Sequence, residues 1–457
     1  MKFRIVLLLS AWLLTCSPAF VHAAVTAQEY TLKNGMKIIV KEDHRAPTVV
    51  HMIWYKVGAM DEHDGTTGVA HALEHMMFKA TKHLKPGEFS QRVAALGGRE
   101  NAFTSKDYTA YFQQIGKSKL EQMMALEADR MANLVFDQHE FEREIQVVME
   151  ERRWRTEDQP IPQVYEALNA TAFFANPYHH PVAGWMDDLQ HMTVQDVKNW
   201  YQSWYAPNNA TMVVSGDVDA KQVFALAKKH FGPIPRRTLP VVKPQNEPPQ
   251  HGIRRVTVKA PAENPYVALA FKVPGLHDVE HDVDPYALDV LAAVLDGYDN
   301  ARLDAKLVRT DKVATSIGAD YSEISRGPAL FMLEGTPANG TTTGQLEKML
   351  RAEVERVAQD GVSEEELKRV KAQLVAGQIY KRDSIFGQAM EIGTLEMSGI
   401  SHAKIDRIIE KLKQVTAAQV QVVARKYFGE DTLTVATLVP LPLSEKKAAP
   451  PAGLRND

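Results

Sequence analysis

Gly68-Val69-Ala70-His71-Ala72-Leu73-Glu74-His75-Met76-Met77-Phe78 is an uninterrupted run of mostly good helix formers that carries two histidines and a carboxylate. On a helix, positions i and i+4 share one face, so His71 and His75 offer two imidazole nitrogens to one metal ion while Glu74 stands beside them. Zinc accepts neutral imidazoles, keeps one position for water and lowers that water's pKa towards neutrality, while a nearby carboxylate takes the proton. The stretch reads as a metal site with a general base, Glu74, attached. The plainer alternative is a surface pair of histidines. A third ligand, expected as a carboxylate on another helix, separates the two.

Phe141-Glu142-Arg143-Glu144-Ile145-Gln146-Val147-Val148-Met149-Glu150-Glu151-Arg152-Arg153 offers that carboxylate. Glu144 and Glu151 are seven apart and lie two turns along one helical face, with Val147 and Val148 expected to point inward. Standing alone, this segment would be a solvated helix laced with ion pairs. Taken with the first stretch, it resembles the pitrilysin (insulinase) family of zinc metallopeptidases, whose His-x-x-Glu-His motif reverses the common His-Glu-x-x-His order. The resemblance implies His71, His75 and Glu151, the last about 76 positions beyond His75, as ligands of one Zn2+ per chain. It further implies Glu74 as general base and Glu144 as the acid standing behind the ligands. Glu150 competes for third ligand, but its spacing from Glu144 puts it on a different face.

Residues 1–23 read as a secretory signal. Lys2 and Arg4 give a positive start, Ile5 to Leu14 an apolar core and Val21-His22-Ala23 a small-residue cleavage site. The apolar run is too short to span a bilayer, so no transmembrane anchor is expected in the mature chain. The single cysteine, Cys16, lies inside this segment, and cleavage after Ala23 leaves neither thiol nor disulfide. Lipidation of Cys16 is the weaker reading, because Thr15 is a poor residue before a lipidated cysteine. Loss of Lys2 and Arg4 moves the formal charge from -4 to about -6, with no basic footprint for nucleic acid. A periplasmic or secreted protein is expected.

The remaining chain, at 45% hydrophobic residues, holds apolar material for more than one core. Prolines between Pro233 and Pro249 deny helix and central strand, which places a linker at 232–251 between an N-terminal zinc-binding domain, 24–231, and a C-terminal domain, 252–440. The tail 441–457 is polar and expected to be flexible.

The halves repeat one another. Thr193-Val194-Gln195-Asp196-Val197, Trp204-Tyr205 and Thr211-Met212-Val213-Val214 match Thr416-Ala417-Ala418-Gln419-Val420, Tyr427-Phe428 and Thr434-Val435-Ala436-Thr437 at a constant offset of 223. Each set reads as a Thr-capped helix, an aromatic pair and a strand. Pro47 to Gly58 and Pro265 to Gly275 are likewise similar strand-like runs. Duplication is the simplest account, and Tyr286 to Val294, the counterpart of the His71 helix, has no histidine. The expected fold is α+β, two homologous α/β domains, each a mixed sheet with helices on one face. Between the motifs, Leu120, Met123, Met124, Met131, Leu134 and Val135 fall at helical spacing and read as core, with Glu127, Asp129 and Arg130 as the exposed side.

Further stretches extend the resemblance from about Tyr30 to Val439. Gly97 to Ser105 looks like the edge strand along which such peptidases lay an extended peptide, making Asn101, Ala102, Phe103 and Thr104 candidate substrate-binding residues. Asn176 to Gly184 resembles the loop after the third-ligand helix. His179 and His180 read as loop residues, because two histidines, a glutamate and a water complete a four-coordinate zinc. The resemblance implies a chamber that admits peptides or unfolded segments and hydrolysis of internal peptide bonds. A catalytically silent scaffold of the same fold, or a zinc-binding module that holds peptides, are the alternatives.

One departure stands out. Active members carry an arginine and a tyrosine seven apart in a second-half motif that matches Arg302 to Thr315, and these two stabilise the oxyanion. Here the two positions hold Val308 and Thr315. Either a one-residue slip brings in Arg309 with Tyr321, or a paralogous subunit lends both residues in a heterodimer. The second reading is the expectation.

Overall fold

A computed structural model describes residues 26–443. The signal segment, Cys16 and the end of the tail lie outside the described residues. The first sheet contains β1 (Gln28–Thr31), β2 (Lys37–Glu42), β3 (Thr48–Tyr55), β4 (Arg99–Thr104), β5 (Thr109–Gly116) and β6 (Ala210–Gly216), in the order β1-β2-β6-β3-β5-β4. The second contains β7 (Arg254–Pro261), β8 (Tyr266–Val273), β9 (Ala314–Tyr321), β10 (Ala329–Pro337) and β11 (Leu433–Leu441), in the order β7-β11-β8-β10-β9. Apart from the extra β1, the two orders are identical. In each sheet one pair, β2 with β6 or β7 with β11, is parallel and the others antiparallel. The duplication seen as a sequence offset is therefore a duplication of topology.

The helices of the first half are α1 (Val69–Met76), α2 (Glu88–Ala95), α3 (Leu120–Asn133), α4 (Gln138–Arg152), α5 (Pro160–Ala172), α6 (Met186–His191), α7 (Val194–Trp204) and α8 (Ala220–His230). Those of the second are α9 (Asp284–Asp296), α10 (Thr343–Asp360), α11 (Glu364–Lys381), α12 (Ile385–Ser398), α13 (Ile405–Gln414) and α14 (Ala417–Lys426). Thr193 and Thr416 each accept from the backbone amide three residues on and complete capping boxes, as the repeated Thr predicts. Between α8 and β7 the chain from Gly232 to Ile253 carries neither helix nor strand. β11 runs to Leu441, one residue past the expected end of the second domain.

Both faces of each sheet are covered, not one. β3 and β6 are buried almost throughout rather than on alternate residues, a pattern that leaves no face for water. The second cover is exchanged between halves. α12 lays Ala389, Ile392 and Met397 on Val50, Met52, Trp54 and Val213 of the first sheet. In return, α5 lays Val164 and Leu168 on Tyr266, Ala268, Ala270 and Ala436 of the second. The contact is close enough that a Cβ on Gly393 would sit 2.0 Å from the Trp54 ring, so only glycine fits there.

Three local expectations fail, the first two because of an unforeseen neighbour. Val148 is fully buried, but Val147 is 37% exposed and faces the cavity described below. Glu127 and Arg130, read as the exposed side of α3, are among the most deeply buried residues of the chain, because α2 and the sheet close over them. Val135, read as core, is instead exposed just past the end of α3.

Candidate metal and peptide site

α1 starts at Gly68, whose φ of 86° is a left-handed conformation suited to glycine. Two of its first backbone amides, Gly68 N and Ala70 N, donate to the Glu62 carboxylate at 2.8 Å each. A buried acceptor thus caps the helix from six residues upstream. Burial pushes the Glu62 carboxyl up to about 8, against the two amide bonds that favour its ionised form. From the other side the loop after α5 packs backbone to backbone. A Cβ on Gly184 would lie 2.6 Å from Gly68 Cα, and Thr67 Oγ1 accepts from Trp185 N at 2.9 Å. α1 is held rigidly at its N-terminus, which fixes where its histidines point.

α4 is capped by Asp137, whose side chain accepts from Glu140 N, and runs alongside α1. The two helices bring His75 Nε2 to 3.2 Å and His71 Nε2 to 3.9 Å from the same Glu151 oxygen. Ligand atoms on a tetrahedral zinc at bond lengths of about 2.0–2.1 Å are roughly 3.3 Å apart, so this donor set fits the ion with small adjustment. Glu144, one helical face back, accepts from His75 Nδ1 at 3.0 Å and is ion-paired with Lys79. That bond leaves Nε2 of His75 as the nitrogen facing Glu151. Arg155 Nη1 holds the other Glu151 oxygen at 2.9 Å from a π-helical turn, Arg153–Glu157, that continues α4.

The electrostatics are those of a cation site. Burial disfavours charge on His75, but hydrogen bonds to Glu144 and Glu151 outweigh it and hold its pKa up to about 9. Burial likewise works against the Glu151 carboxylate, and the His75 hydrogen bond with the nearby His71 brings it down to about 2. The carboxylates around His75 thus favour a positive charge at this point.

Glu74 stands beside this cluster, its charge felt by His75, but is not one of the three converging donors. It accepts from Thr104 Oγ1 at 2.5 Å, and Thr104 closes the edge strand β4. Among the described residues β4 pairs only with β5 and forms the edge of the sheet. Asn101, Phe103 and Thr104 line the cavity, whereas the Ala102 side chain turns into the core. The cavity measures about 940 Å³, and all its lining residues fall between His71 and Ala183. Arg309 is instead paired with Asp304, and the buried Tyr321 donates its hydroxyl to Pro274 O at 2.6 Å. Neither lines the cavity.

Sequence reasoning singled out His71, Glu74, His75, Glu144 and Glu151, and the fold brings these five together. It missed Glu62, Lys79 and Arg155. Lys79 and Arg155 stand at i+4 from His75 and Glu151, a helical spacing that was available to notice. Glu62 gives no such signal.

Residues 37–184 match the family model described as Insulinase (Peptidase family M16), and residues 191–374 match that of the Peptidase M16 inactive domain. The chain belongs to peptidase family M16. A zinc protease named PqqE from Helicobacter pylori is 35% identical over 372 residues, covering 79% of this chain and 82% of that protein. The zinc protease YmxG of Bacillus subtilis is 27% identical over 405 residues, covering 88% and 96% respectively. A crystal structure of a protease from Helicobacter pylori superposes with a TM-score of 0.85 at 30% identity, covering 91% of this chain and all of that one. At 20% identity, the first half of a periplasmic protease, PqqL of Escherichia coli, shares the fold with a TM-score of 0.76. The family models divide as the metal motif does. The M16 model spans the histidines and Glu151, and the inactive-domain model runs from the end of α6 into α11, where none of them lies.

Proposed function

We propose that this M16 protein is an exported zinc metalloendopeptidase that cleaves peptides or unfolded segments and works beside a related subunit. The observation that carries the reading is the convergence of His71, His75 and Glu151 on one point, with Glu74 held next to an open strand edge. Zinc, when bound to those three residues, supplies a Lewis acid and lowers the pKa of its water. An extended peptide adds to β4 as a further strand through the backbone of residues 101–104, which makes few demands on its sequence. Glu74 accepts the proton of the attacking water, and Thr104 orients the carboxylate that does so. Glu144 keeps the His75 ring turned towards Glu151.

Export is supported by the signal-like residues 1–23, and no described helix is long and apolar enough to cross a membrane. The domain limits proposed are 24–231 and 252–440, joined by the segment without regular structure. The subunit partnership is supported by Val308 and Thr315 at the two oxyanion positions and by the engagement of Arg309 and Tyr321 elsewhere. Purified alone, the chain is expected to bind one zinc per molecule and to hydrolyse peptides slowly. Adding a related subunit that lacks the zinc motif raises kcat far more than it lowers KM. Full chelator-sensitive turnover by the isolated chain, undiminished in Arg309→Ala with Tyr321→Phe, refutes the partnership.

Glu144→Gln tests the orienting role separately. The amide still reaches His75 Nδ1 but no longer carries the charge that raises the basicity of the ring. Zinc affinity, measured by competition with a chromophoric chelator, is expected to fall about 10–100-fold. An unchanged affinity removes Glu144 from the site.

A further inference from the structure

We propose that Asp64, His179 and His180 form a second zinc site at the rim of the cavity, separate from His71, His75 and Glu151. One ligand atom from each of the three lies within 4.8 Å of the others. The residues come from two loops that the fold presses together, the one entering α1 and the one following α5. His180 Nε2 stands 3.0 Å from Asp64 Oδ1. His179 donates from Nδ1 to Asn176 O at 2.9 Å, and a backbone carbonyl on one ring nitrogen is the usual way a metal-binding histidine is oriented. Its Nε2 is thereby left as the ligating atom.

Two of the three donors are already fixed. The Asn176 side chain accepts from Tyr178 N and caps the turn Pro177–His179, and His180 is 4% exposed. Asp64 is the mobile ligand, its side chain 86% exposed and able to swing by the ångström or so that roughly 3.3 Å donor separations require. Two imidazoles and one carboxylate suit zinc, with remaining positions for water. A third grouping, Glu29, Glu396 and His402, differs in kind. There Lys37 Nζ stands 2.8 Å from Glu396 and 3.7 Å from Glu29, so a lysine ammonium already supplies the positive charge. With one exposed ligand, the rim site holds zinc more weakly than the inner one. His179 and His180 line the cavity, so a metal there borders the same space as the inner site.

Titration of the metal-free full chain with Co2+ and with Zn2+, followed by cobalt absorption and by calorimetry, tests the proposal. Wild type is expected to take two equivalents, one tight and one weak. Asp64→Asn, at an exposed position, weakens the second step by about tenfold or more, and His179→Ala with Asp64→Asn abolishes it while one tight equivalent remains. Glu151→Gln does the reverse, impairing the tight step and keeping the weak one, so failure of the inner site and failure of the rim site are read separately. Saturation of wild type at a single equivalent that Glu151→Gln impairs overturns the proposal. So does a second equivalent that survives the double substitution.

Discussion

Glu74→Gln is expected to leave one zinc per chain in place while lowering kcat for peptide hydrolysis by about 10²–10⁴-fold, the usual contribution of a positioned general base. Glu74 shares α1 with the two histidines but is held by Thr104 of β4, outside the Glu151 cluster. Glutamine matches its shape and its bond to Thr104 yet accepts no proton from water. His75→Ala and Glu151→Gln are expected to act through the other arm of the site, lowering zinc content with activity, because each removes a donor atom. Metal analysis beside turnover measurements on the three variants checks the division of roles. Full zinc in all three would sink the ligand assignment, and an active Glu74→Gln would sink the base.

Glu127→Ala is expected to destabilise the first half by about 3–5 kcal/mol, the cost of leaving a buried charge without its partner. Arg130 is fully buried, with its guanidinium 4.3 Å from the Phe89 ring, 4.5 Å from Tyr111 and 5.2 Å from Phe78. Glu127 receives Arg130 Nε at 2.7 Å and also Gln113 Nε2 at 2.5 Å. Removing it strands both donors in a region that water does not reach. Phe78 follows directly on α1, so this ion pair also buttresses the helix that carries the histidines. Replacing both charges, as Glu127→Leu with Arg130→Met, is expected to recover part of the loss, since Arg130 no longer stands without Glu127, while Gln113 still loses its acceptor and Glu100 the cation it acts on. Denaturant unfolding followed by tryptophan fluorescence distinguishes the two variants. A single substitution that unfolds at the wild-type midpoint would contradict this account.

That pair also marks where reading the chain ran out. Helical spacing put Met123, Met124 and Met131 in the core correctly, because the apolar face of a helix repeats every three or four residues whatever it packs against. By the same logic Glu127 and Arg130 belonged outside. The aromatic cage around them comes from Phe78, Phe89 and Tyr111 on three other segments, and nothing within α3 announces it. Val147 and Val148 repeat the lesson on a smaller scale: one faces the core and one a cavity, and only the arrangement of α1 and β4 opposite them tells which.

The sequence by itself determined what depends on local period and on repetition. The i, i+4 pair His71 and His75, the seven-residue step from Glu144 to Glu151 and the twofold topology behind the 223-residue offset are all of this kind. Tertiary structure decided which elements meet. It exchanged α5 and α12 between the sheets, brought Glu62 to the start of α1, and placed Asp64 beside His179 and His180. The physical reason is that backbone geometry sets the spacing of side chains within an element, whereas burial and charge pairing are settled by whichever element lies across the gap, often more than 100 residues away.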